Sequence, residues 1–279
     1  MAPDRTVGLL HALPFVGIPL NHLLNLNPVA RPGARGVRAQ KRSRTMTYIR
    51  HLWLALIFGM LSAGLYEAQP VAKINSLDSY VRFTTFYYQA PNPDLVLQTI
   101  DFMQEARFPS EEAQFAPIIG FFSEVFASNK DKLPKWTERI KHTSGNTKEV
   151  LDLALTYAQD PERLLRYDPD NEKPAFNDIC WGAFFASGKE VYLDAILKRL
   201  AFLSERTSMM RYVTAGSAQW SLASNARQHP LVKKYLGEAL AKAQPEMRQA
   251  IKDTLERDPA VFQEGMITIL KEQHEKKIW

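Results

Sequence analysis

From Pro93 onward apolar residues recur at every third or fourth position and almost nowhere alternate, which restricts the chain to helices packed on helices. The clearest stripe is Leu193, Ile196, Leu197, Leu200 and Leu203, and it predicts a helix over Lys189 to Ser204. Pro93 and Asp94 open a helix whose Val96, Ile100 and Met103 share a face. Ser110 is an N-cap for a helix from Glu111 to Ser128 with Ile118, Phe122, Val125 and Phe126 inward, kinked or restarted at Pro117. Asn146 and Glu149 have capping-box spacing ahead of Val150, Leu153, Ala154 and Tyr157. Pro230, Pro245 and Pro259 each stand at a first helical position, and the run Asp168 to Pro174 is a loop. Short connections make consecutive helices reverse direction. The expected fold is therefore all-α: an irregular, α-solenoid-like array of antiparallel αα-hairpins, forming a single domain over residues 67–279.

The charge is distributed unevenly. Residues 1–50 hold eight Lys and Arg against Asp4 alone, a net +7, while the whole chain is +5, so the remainder sums to −2. A slightly acidic domain lacks the clustered cations that bind a phosphate backbone, and no nucleic-acid partner is expected. From Met46 the text follows the tripartite plan of a secretory signal peptide: Arg50 and His51, then apolar Leu52 to Leu61, then Ser62-Ala63-Gly64. The apolar stretch to Tyr66 is about 15 residues, short of the about 20 that span a bilayer. The expected boundaries are a disordered or non-native extension over 1–45, a signal peptide over 46–64 and a periplasmic or secreted domain. An uncleaved inner-membrane anchor and an Arg-rich mitochondrial leader are the alternatives; only an uncleaved leader would bring the chain to a membrane.

Three segments echo one another: Phe126-Ala127-Ser128-Asn129, Phe185-Ala186-Ser187-Gly188 and Leu222-Ala223-Ser224-Asn225. Each places Asn or Gly where a helix would end in the left-handed conformation. The spacings, 59 and 37 residues, are too irregular for a tetratricopeptide array. The stretches Trp181 to Glu190 and Trp220 to Pro230 resemble the paired signature of an uncharacterised family of bacterial exported helical proteins, a likeness covering about residues 80–240. It implies a fold and an origin and carries no activity. The turn Gly188-Lys189-Glu190-Val191-Tyr192-Leu193 is also similar to turns in α/α-toroid glycan-active enzymes, although the domain is too short for six hairpins.

The chemistry is sparse. Outside the leader only His142, His229 and His274 remain, without H-E-x-x-H or CxxC spacing, so neither a metal nor a cofactor is expected. No phosphate-binding glycine loop and no nucleophile elbow is present. Asp168, Asp170, Asn171 and Glu172 form an oxygen-rich loop without the glycine and distal Glu of an EF-hand. Asp152, Glu162 and Asp178 could supply paired carboxylates, as in any helical protein. Cys180, the sole cysteine, sits in an apolar run and reads as core, and His229 reads as a helix-entry residue. Aromatics are dense at helix ends and read first as core. On a concave array, Trp136, Trp181, Phe185 and Trp220 with Arg227 would instead line a binding groove. Phe83, Phe86, Tyr87 and Tyr88 form a further cluster, either packed on the array or part of that surface. No catalytic residue is assigned, which weighs against an enzyme. The expected function is a non-catalytic scaffold for a protein or peptide partner in the cell envelope. The alternatives are an envelope enzyme acting on glycan or peptidoglycan and an inner-membrane-anchored helical protein.

Overall fold

The computed structural model describes residues 70–166, 173–276 and 278. The N-terminal extension, the leader and the acidic loop from Asp168 to Glu172 lie outside them. Every element among the described residues is helical, and no strand occurs there. The α-helices are α1 (Leu77–Phe86), α2 (Val96–Glu105), α3 (Phe115–Ser128), α4 (Leu133–Lys141), α5 (Gly145–Tyr157), α6 (Pro174–Ser187), α7 (Glu190–Leu197), α8 (Met209–Gln228), α9 (Pro230–Lys242), α10 (Pro245–Glu256) and α11 (Pro259–Glu275). Short 3₁₀ turns extend several of them, notably Tyr87–Gln89 after α1 and Lys198–Ser204 after α7.

The amphipathic stripes fall where their spacing puts them. Val96, Ile100 and Met103 are buried, as are Leu193, Ile196, Leu197 and Leu200, and Pro230, Pro245 and Pro259 sit in the first turns of α9, α10 and α11. Four local readings need correction. Ser110 is not an N-cap: the segment opens as a 3₁₀ turn, Glu112–Gln114, with Glu111 as its N-cap residue, and α3 begins at Phe115. The N-cap residue of α5 is Ser144, so Asn146 lies inside its first turn and donates its side-chain amide to the Pro109 carbonyl at 3.2 Å. Leu153 faces outward, because Val150, Leu151 and Ala154 already fill the inner side of α5. Asn225 ends no helix: it lies within α8, which runs on to Gln228. Asn129 does follow the last residue of α3, but with φ −132°; only Gly188 takes the left-handed conformation, at φ 67°. Asn129 and Asn225 each turn back to the carbonyl four residues earlier, at 2.8 and 2.9 Å, whereas beside Gly188 it is the preceding Ser187 that does so, at 2.7 Å.

At the centre α3 packs on α6, and the two come together at glycines. A Cβ on Gly120 would lie 2.9 Å from the Ala183 nitrogen and nearer still to the Ile179 carbonyl oxygen. One on Gly182 would lie 2.9 Å from the Phe121 nitrogen and nearer still to the Pro117 carbonyl oxygen. On its other side α6 meets α8, which is buried continuously from Tyr212 to Ala226 although much of that stretch is small or polar. Burial is tolerated because the hydroxyls bond within their own helix: Ser217 to Thr214, Ser221 to Ala218 and Ser224 to Trp220, at 2.9–3.1 Å.

Side-chain ties between alternate helices come in pairs that share one sequence offset. Asp94 pairs with Lys132 and Asp101 with Arg139, 38 positions apart in each case, linking the start of α2 to α4. Asn177 bonds Ser217 and Trp181 bonds Ser221, 40 apart, linking α6 to α8. Gln219 reaches the Ala250 carbonyl and Arg227 reaches Asp258, 31 apart, linking α8 to α10 and its exit. At about 1.5 Å of rise per residue, such pairs keep contact only if both helices run the same way.

Candidate functional site

The C-terminal turn of α6 and the residue after it meet two buried ionisable side chains, Glu124 and His229. Its sequence, Phe184-Phe185-Ala186-Ser187-Gly188-Lys189, carries three separate contacts. Gly188 leaves room for the Tyr88 ring, whose Cδ2 would stand 3.1 Å from a Cβ there. Lys189 reaches α3, and the two phenylalanines face His229.

The contact to α3 centres on Glu124, only 1% exposed in the middle of an apolar helix. Lys189 Nζ lies 3.0 and 2.9 Å from its two carboxylate oxygens, and the Tyr192 hydroxyl donates a short hydrogen bond to one of them. A buried carboxylate without these donors would be costly, so the pair fixes α3 against the α6–α7 turn. Burial and the neighbouring carboxylate push the Tyr192 hydroxyl far above its ordinary value, which keeps it a donor. The sequence reading passed over Glu124. The signal was there: one acid within Phe121-Phe122-Ser123-Glu124-Val125-Phe126 must either break the stripe or have a partner.

The second contact surrounds His229, which is 0% exposed between α8 and α9. Phe86 stacks on its ring at 5.0 Å and Phe185 at 5.1 Å, both 30° from parallel, and Phe184 meets it edge-on at 6.4 Å. Tyr88 Oη lies 3.1 Å from Nδ1. Gln89 donates its amide to that same oxygen at 2.9 Å, and the direction of the Tyr88–Nδ1 bond follows the imidazole tautomer. Nε2 is buried and has no hydrogen-bond partner among the described residues. Burial alone lowers the imidazole to about 3, so it is neutral throughout the physiological range. His229 is thus more than a residue at a helix entry.

The expected groove residues are placed differently. Trp136, Trp181, Phe185 and Trp220 are all buried. Trp136 packs on Phe126, Trp181 donates its indole N–H to Ser221 at 2.9 Å, and Phe185 lies in the His229 stack. Arg227 is exposed and clamps the start of α11 through Asp258 and the Arg257 carbonyl, at 3.1 and 3.3 Å. The cluster of Phe83, Phe86, Tyr87 and Tyr88 packs inward from α1, with Phe83 and Tyr87 edge-on to Phe121. The structure brings Trp181–Glu190 and Trp220–Pro230, read as a paired signature, into direct contact through Trp181–Ser221 and Phe185–His229.

Asp178 is half-buried in α6, and desolvation raises its carboxyl to about 7; Cys180 is buried and its thiol is pushed far up for the same reason. Asp152 is exposed on α5 and ion-paired to Lys148 at 2.8 Å. Together with Gly145, Glu149, Leu153 and Thr156, that pair lines an open groove along one face of α5. Among the described residues no group of three or more His, Cys, Asp or Glu could hold a metal ion, and no helix is long and apolar enough to cross a membrane. The chain matches no protein-family model, no curated protein and no solved structure.

Proposed function

We propose that the chain is a non-catalytic helical scaffold that holds a protein or peptide partner in the cell envelope. The observation that carries this reading is the alignment of alternate helices at offsets of 38, 40 and 31 positions. Helices one place apart run the same way when consecutive helices reverse, so the offsets support an irregular array of antiparallel hairpins. Such arrays present extended faces to partners. The buried ionisable groups point the same way. Glu124 is enclosed by Lys189 and Tyr192, and His229 by aromatic rings, so each ties helices together and neither faces solvent. The envelope location rests on the leader from Met46 to Gly64 and on the likeness to exported helical proteins.

Two measurements test the proposal. Expressed in a bacterium from Met46, the chain should reach the periplasm and lose about 19 residues, as read by N-terminal sequencing. The recovered protein, cross-linked in envelope extracts, should retain a partner that also binds the purified chain directly. Hydrolysis of purified peptidoglycan, without such a partner, would replace the scaffold with the enzyme reading.

A further inference from the structure

His229 is held from two sides. Phe86, Tyr88 and Gln89 reach it from α1 and the turn after it, while Phe184 and Phe185 reach it from α6. Its backbone amide is fixed to the Asn225 carbonyl of α8 at 2.8 Å, so the ring belongs to the α6–α8 side, and α1 with its turn closes over it from the other side. Tyr88 is the sole titratable side chain that touches the ring among these contacts, and no charged side chain acts on it. The enclosure therefore offers no charge to balance a positive imidazole, and a proton on Nε2 would have no acceptor.

We propose that residues 77–89 form an acid-released latch, closed over neutral His229 and freed when that ring takes up a proton. The sign follows from the two environments. The closed ring has its value lowered to about 3, whereas a ring facing water has the ordinary 6.5. The open form then binds more protons between those limits, and the closed form is favoured at neutral pH and loses ground as pH falls below 6.5. The open population should rise about ten-fold per pH unit in that window.

Asp178 makes this opening selective. Its carboxyl is raised to about 7 from an ordinary 3.8, so acid stabilises the folded state through this group over the range in which His229 destabilises it. Global unfolding releases both groups, and their slopes oppose each other between pH 6.5 and about 4. Latch opening leaves α6 packed on α3 and α8, so a change at residues 80–88 without one in α6 separates it from global unfolding.

Native-state hydrogen exchange on the full chain between pH 6.5 and 4.5, corrected for intrinsic exchange rates, tests the latch. The opening constant of amides in residues 80–88 should rise about 50-fold, while those of α6 change by less than about three-fold. His229→Gln should flatten the profile of residues 80–88. His229→Phe, which keeps a flat ring in the stack, should do the same and serves if His229→Gln does not fold. Tyr88→Phe removes the hydrogen bond but not the titrating group, and should raise the baseline while keeping the slope. A flat wild-type profile, a slope that survives replacement of His229, or α6 opening in step with α1 would each overturn the proposal.

Discussion

Glycine brings helices together both where α3 meets α6 and where α8 meets α11, but against different neighbours. At the first crossing Gly120 and Gly182 face backbone, and an added Cβ would overlap a carbonyl oxygen of the opposite helix. At the second, an added Cβ on Gly216 would lie 2.7 Å from the Sδ of Met266, the far end of a flexible side chain. A thioether can rotate away, whereas a main-chain carbonyl moves only with its helix. What a glycine contributes is therefore decided by what would have to move.

The most damaging test of this contrast is Gly182→Ala. Helix propensity gains about 1 kcal/mol from the exchange, yet parting two main chains should outweigh it and leave a net loss of about 3 kcal/mol, read as a shift in the urea midpoint. A neutral result would mean that the α3–α6 crossing is looser than the geometry requires. Lys189→Met tests whether the same crossing also depends on its ion pair. Glu124 would keep only Tyr192 inside the core, and the expected loss is about 2 kcal/mol, below the range for a fully buried pair because the Lys189 side chain is 54% exposed. A double-mutant cycle with Glu124→Gln should recover a coupling of about 1 kcal/mol or more. Gly188→Val should cost about 1–2 kcal/mol in the same measurement, since valine resists φ 67° and its Cβ would press on Tyr88. Gly216→Ala should be the mildest, with a net change below about 1 kcal/mol, because the propensity gain offsets the displacement of Met266. A loss as large as that of Gly182→Ala would remove the distinction.

The part of the fold that was legible in the sequence is the part that alternates between core and solvent. Leu193, Ile196, Leu197 and Leu200 form a stripe because the opposite side of their segment is wet. Helix α8 offers no such contrast. It is buried along Tyr212 to Ala226, so its Ser, Thr, Asn and Gln are distributed without period, and the one boundary read within it, a helix end at Asn225, is misplaced. The same limit governs the site. Aromatic density at Trp181 to Phe185 and at Trp220 marked a place that matters, but composition cannot tell a ring that lines a groove from one that fills a core. His229 was legible as a helix boundary, while the rings enclosing it come from positions far away in the chain.

The Tyr88–His229 contact spans 141 positions, against 31 to 40 for the ties between alternate helices. A ribosome releases α1 long before the residue that receives it. At about 5–20 residues per second, the faces carrying Phe86 and Tyr88 wait roughly 7 to 30 seconds for His229 to be made. During that time the nascent chain exposes an aromatic surface whose site does not yet exist. Of the described helices α1 is the first to be synthesised. Its Phe83 and Tyr87 can settle on Phe121 early, but the end that carries Phe86 and Tyr88 is among the last to dock, and a factor that shields unfinished chains would find that aromatic end still uncovered.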